Sequence, residues 1–224
     1  MTAESAHRLP EWGSALVVVA HPDDESFGLG GVLDTLVRSG TQVHVLCLTA
    51  GEASTHGSSP DLAQVRAAEL DLAAAALGVR STRLLHHPDG GLDERPREIE
   101  ADVAAVVREL RPEGLVVFGA GNGVTGHPDH EAATQAALRV AASEGLPALE
   151  WCLPEEVAAM LNEEYGAAFA GFPAVDLPIV LTVDRGRQRT AVAAHASQAV
   201  PGSVLWRRLD LLGDHEYLRL SLPL

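Results

Sequence analysis

Short apolar runs recur through the first half of this chain, over residues 16–20, 43–48, 82–85 and 115–118. Each is of strand length and bounded by polar or turn-forming residues, so each predicts a buried strand. Between them the apolar positions fall three and four apart. That spacing predicts helices over residues 28–38, 61–77, 98–110 and 129–142, the first leaving at Ser39-Gly40 and the second at Gly78. Beyond residue 150 the pattern loosens. "WCLPEEVAAMLNEE" predicts a strand end and a helix, "IVLTV" a strand, and "RQRTAVAAHASQ" a helix running into a loop. The alternating "YLRLSL" predicts a strand that closes the sheet edge.

Strands alternating with helices call for an α/β fold, a mostly parallel sheet with helices on both faces and right-handed crossovers. At 224 residues the chain predicts one domain, 1–224, with residues 1–13 as a loose tip. A net charge of −15 argues against nucleic acid as a partner, because phosphate neutralisation needs a basic face. All 16 basic residues are arginine, which excludes Schiff-base and P-loop lysine chemistry. Cys47 and Cys152 are too few and too far apart for a disulfide framework or a cysteine zinc site. With no signal-like start and no apolar run of membrane-spanning length, a cytoplasmic protein is expected. Self-association is left open.

Chemistry concentrates where strands end. The run "VVVAHPDDESFGLGG" (17–31) sets a histidine and three acids directly after the first strand. "GHPDHEAA" (126–133) follows the fourth strand and its glycine-rich loop. In an open parallel sheet both stretches face the crevice off the carboxyl ends of the strands. A catalytic metal ion takes three nitrogen or oxygen ligands and keeps one position open. His21, Asp24 and His130 would supply them. Asp23 is then spare, placed to take a proton from water, and His127 is a candidate general acid. Read singly, each stretch is also an ordinary turn or helix start, since proline and aspartate favour both. Two such stretches off two strand ends favour the metal reading.

The paired motifs "AHPDDE" and "GHPDH" resemble those of the PIG-L/LmbE family of zinc-dependent N-deacetylases. The similarity continues through "LTAGE" (48–52), "VRAAELDLAAAALGV" (65–79), "HPDGGL" (87–92) and "HASQ" (195–198). It implies a Rossmann-like fold and hydrolysis of an acetamide on an N-acetylglucosamine-type sugar or related small metabolite, releasing acetate and a free amine. It assigns zinc to His21, Asp24 and His130, the general base to Asp23, and intermediate stabilisation or amine protonation to His127. Arg66 and Asp89 match positions that bind sugar hydroxyls in some members. Some members carry a carbonyl-polarising tyrosine where this chain has Thr125. Either zinc and His127 then carry the oxyanion, or another side chain reaches in. Mixed histidine and carboxylate ligands also accept iron, cobalt or nickel. Two alternatives stand beside this reading: an amidase acting on a larger N-acyl conjugate, and a non-catalytic carbohydrate- or metabolite-binding protein with a structural metal.

Glu25 is expected to cap the next helix or to orient a ligand from behind. His86 and His87 point to opposite faces of a strand and are not expected as ligands. His195 and Gln198 are candidates for the pocket wall. "GLGG" (28–31) does not fit a dinucleotide-binding turn, and the acids before it would repel a pyrophosphate.

Overall fold

The computed structural model describes residues 8–56 and 60–223. Four strands form where the apolar runs lie: β1 (Ser14–Val19), β2 (Gln42–Thr49), β3 (Ser81–His87) and β4 (Gly114–Phe118). The helices between them are α1 (Asp24–Phe27), α2 (Gly30–Arg38), α3 (Leu62–Leu77) and α4 (Pro96–Leu110), followed by α5 (Pro128–Glu144). The later part adds β5 (Ala148–Pro154), α6 (Glu155–Tyr165), the two-residue β6 (Gly171–Phe172), β7 (Ile179–Thr182), α7 (Gly186–Ala194), α8 (Val204–Leu212) and β8 (His215–Ser221).

Strand order is β3-β2-β1-β4-β5-β8-β7, with β6 pairing β5 off this path. β1, β2, β3, β4 and β5 run parallel, while β8 pairs antiparallel with both β5 and β7. The chain moves outward one way from β1 to β3 and then the other way from β4, so a topological switch point falls between β1 and β4. The "YLRLSL" strand does not close an edge. It is inserted between β5 and β7, and β7 takes the edge. Strand order depends on partners remote in sequence, which alternation along one segment does not encode.

The central strands are buried on both faces, and successive side chains divide between two cores. Val17 and Val19 join Val45, Cys47 and Trp151 in one cluster with α2 and α3. Leu16 and Val18 join Leu46, Leu115 and Val117 in the other, beneath α4 and α5. Both cysteines are free and buried, and burial pushes the Cys152 thiol up to about 12. Among the described part of the expected loose tip, Trp12 packs its ring on Gly114, where a Cβ would lie 2.3 Å from it. No helix among the described residues is long and apolar enough to cross a membrane.

Candidate active site

His21 stands two residues beyond the end of β1, and His127 and His130 follow β4, the strand beside it. The switch point therefore brings together segments more than a hundred residues apart. His21 Nδ1 lies 3.0 Å from His130 Nε2. Asp24 Oδ1 lies 3.1 Å from His130 Nε2, and its Oδ2 lies 3.6 Å from His21 Nδ1. Ligands about 2.0–2.1 Å from a tetrahedral ion sit roughly 3.3 Å apart, so these three donors have the spacing of a metal triad.

The partners on the far side of each imidazole orient its ring, and for His21 they also fix the tautomer. His130 Nδ1 is 2.5 Å from Thr125 Oγ1. His21 Nε2 is 3.0 Å from Asp89 Oδ1 and 3.3 Å from Asp129 Oδ2. Carboxylates accept, so the His21 Nε2–H donates and its Nδ1 lone pair faces Asp24 and His130. Asp129 is itself fully buried and accepts the Gly90 and Leu92 backbone N–H groups at 2.8 and 3.1 Å. Burial opposes a charged His21, but the carboxylates of Asp129, Asp24 and Asp89 outweigh it and hold its pKa well above the usual range. The donor set thus fits a divalent cation, which would supply the positive charge those acids demand. Two other donor groups fall within 4.8 Å: His21 with His127 and His130, and His21 with Asp89 and Asp129. The second is taken up by the hydrogen bonds that orient His21.

Asp23 stands beside the triad without joining it. Its backbone is left-handed, φ 116° and ψ −26°, a strained conformation for a residue with a Cβ. Three contacts hold it there. Glu25 Oε2 accepts the Asp23 N–H at 3.0 Å, Arg66 Nη2 donates to the Pro22 carbonyl at 2.5 Å, and the same nitrogen is 3.1 Å from Asp23 Oδ2. Glu25, wholly buried, is fixed in turn by His195 Nε2 at 2.7 Å and Ser26 Oγ at 2.5 Å. Burial raises the Asp23 carboxyl to about 6, against the pull of Arg66.

His127 caps α5: its Nδ1 accepts the Asp129 N–H at 3.2 Å, and Pro128 takes the first helical position. A neutral His127 therefore carries its proton on Nε2. Burial, then the neighbouring His21 and His130, hold its pKa below the ordinary value. The loop before it is left-handed at Asn122, Val124 and Gly126 (φ 58°, 62° and 80°). Glu131 Oε2 ties it down by accepting the Gly123 N–H at 2.6 Å. At Gly126 a Cβ would meet the Ala168 carbonyl at 2.5 Å, so both the turn and the close approach need glycine.

His21, Asp23, Asp24, Thr125, His127 and His130 line one cavity of about 620 Å³. Arg66 and Asp89 line it too, yet each is already engaged by the protein. Arg66 holds the Gly51 and Pro22 carbonyls and Asp23, while Asp89 holds His21 and the Ala53 N–H. Gln198 reaches the cavity, whereas His195 lies behind Glu25. His87 pairs with Asp102 at 2.8 Å, away from the triad. In the sequence Asp129 is signalled only by the repeated His-Pro-Asp spelling. Arg208 carries no signal, because an arginine interrupts the apolar stripe of α8.

The family model described as GlcNAc-PI de-N-acetylase, PIG-L, matches residues 16–141, more than half of the chain. The chain belongs to the PIG-L family. Among curated PIG-L relatives, a 1D-myo-inositol 2-acetamido-2-deoxy-alpha-D-glucopyranoside deacetylase of Kineococcus radiotolerans is 33% identical over 80% of this chain and 64% of its own length. The chain thus spans less than two thirds of that relative. A probable N-acetyl-alpha-D-glucosaminyl L-malate deacetylase 2 of Bacillus cereus is 32% identical, with 82% of each chain covered. The solved structure of the A40926 pseudoaglycone deacetylase Dbv21 superposes with a TM-score of 0.71 at 22% identity, over 96% of this chain and 99% of that one. That likeness bears out the Rossmann-like, mostly parallel α/β fold.

Proposed function

We propose that this PIG-L protein is a zinc-dependent N-deacetylase acting on an N-acetylglucosamine-type sugar or related small metabolite. The observation that carries the reading is Asp23, a carboxylate outside the triad that the protein holds in a strained backbone beside it. A purely structural metal site has no use for such a group. The names of the relatives supply the substrate class, an acetamide on a glucosamine-type sugar.

His21, Asp24 and His130 would hold the ion, which supplies Lewis-acid polarisation of the acetyl carbonyl and acidifies water. Asp23 takes a proton from the attacking water, a task suited to a carboxyl raised to about 6 by burial. The His127 Nε2–H donates a hydrogen bond to the acetyl oxygen as it gains negative charge. That role meets the need left by Thr125, whose hydroxyl is committed to His130. The proton held by Asp23 passes to the departing nitrogen, the C–N bond breaks, and acetate and a free amine leave.

Acetate release from a panel of N-acetylated glucosamine derivatives, with and without a chelator, tests this reading. Release from at least one sugar, abolished by the chelator and restored by zinc, is expected. Release that a chelator leaves untouched would overturn the metal role. A panel bound without any release would favour a binding protein instead.

A further inference from the structure

The cavity lining mixes polar groups, among them Arg66, Asp89 and Gln198, with an apolar set of Phe27, Phe118, Phe169, Val204 and Leu205. A second arginine, Arg208, also lines it. The Arg208 guanidinium lies 5.0 Å over the Trp151 ring, and the side chain is buried, with 1% of its surface exposed. One terminal nitrogen donates to the Phe27 carbonyl. Its Nε is buried with no hydrogen-bond partner among the described residues. Glu216, Asp24 and Asp23 attract it only from a distance, and burial drives its pKa down to about 10.

The neighbouring buried arginine shows what full compensation looks like in this fold. Arg185 is matched by Glu216 Oε1 and Gln188 Oε1, each at 2.6 Å, and by the Gly213 and His215 carbonyls. Arg66, whose Nε is also buried without a partner among the described residues, has the Asp23 carboxylate 3.1 Å from its Nη2, whereas Arg208 has no carboxylate within ion-pair distance among the described residues. A guanidinium buried without an acid beside it is costly unless something else brings the charge. The cavity it lines lies within the range that takes drug-sized ligands, about 300–1,000 Å³, and so has room for a substituent besides the sugar.

We propose that Arg208 anchors a carboxylate or similar anion of the substrate, carried on an apolar substituent that lies along the Phe27–Phe118–Leu205 wall. This rests on the deacetylase reading and narrows its substrate class to acidic N-acyl amino sugars. The anion can sit on the group at the anomeric oxygen or on the acyl chain, and the two sources are separable.

The test compares 4-carboxyphenyl and 4-methylphenyl N-acetylglucosaminides, and N-succinyl- and N-butyrylglucosamine, as substrates of the zinc-loaded protein. A charge-assisted pair predicts a kcat/KM ratio of about tenfold or more in favour of the acidic member of one pair. The pair that shows it names the source. Arg208→Met is expected to bring that ratio close to one. Should the variant fail to fold, the parent protein's ratio decides alone. Equal kcat/KM within both pairs, with the acetamides still cleaved, overturns the anchor and leaves the deacetylase intact. If nothing is cleaved, the deacetylase reading fails. Calorimetric titration of 4-carboxyphenyl and 4-methylphenyl glucosaminide then still decides on Arg208, because equal affinities overturn it and tighter binding of the acid upholds it.

Discussion

Thr125 Oγ1 and His130 Nδ1 stand 2.5 Å apart, and this contact decides which nitrogen of His130 faces Asp24 and His21. Removing the hydroxyl frees the ring to rotate or change tautomer. Thr125→Val, nearly the same shape, is expected to weaken metal affinity about 10–100-fold, as loss of a partner behind a metal-bound histidine does. Chelator competition on the purified protein reads this without any substrate. Unchanged affinity would show that the contact does not orient the ring.

Asp23 is predicted to act on protons and not on the ion. Asp23→Asn should lower kcat by about 10²–10⁴, the usual contribution of a general base, while bound metal stays at the parent level. A variant that loses its metal along with its turnover would place Asp23 among the ligands.

The triad was legible in the sequence because its residues sit directly after strands whose apolar runs are unmistakable. His21 follows 16–20, and His130 follows 115–118 across one loop. What orients those residues was less legible. Asp129 reaches His21 across 108 positions, and Glu25 meets His195 across 170, so no local pattern signals either pair. Arg66 and Asp89, expected at sugar hydroxyls, line the cavity and also hold Asp23 and His21, contacts that a motif position does not signal. Helix α8 escaped because its inward positions include an arginine, Arg208, which breaks the apolar stripe that marks a helix face.

His195 gives a pH signature in stability. Burial disfavours its charge, but Glu25 outweighs that and raises its pKa in the folded protein. Protonation of His195 therefore favours the folded state. The stabilisation is complete below the unfolded value of about 6.5 and fades as pH rises through the higher folded value. In thermal melts of the metal-free protein, the gap in Tm between parent and His195→Gln should be widest near pH 5.5 and narrow steadily above neutrality. A gap that widens with pH would contradict the pairing with Glu25.

Gly28 tests the packing that sets the cavity floor. A Cβ there would lie 2.4 Å from the Phe118 ring, which itself borders His130 with ring centroids 5.1 Å apart. Gly28→Ala is expected to cost about 1–3 kcal/mol, the range for overpacking a filled interior. Equilibrium urea unfolding measures it as a lower midpoint at constant m. A variant as stable as its parent would mean that the ring yields freely.

β8 is made last but fills the gap between β5 and β7, and β7 has no other sheet neighbour among the described residues. Helix α7, which delivers His195 to Glu25, follows β7 directly. On the ribosome, His21, Asp24 and His130 emerge within the first 130 residues, together with the Glu25 and Arg66 that hold Asp23. His195, which fixes Glu25 from behind, comes later, on a helix that follows an edge strand whose place in the sheet depends on β8. The candidate ion site and the last support of its base are thus laid down at separate moments in the birth of the molecule.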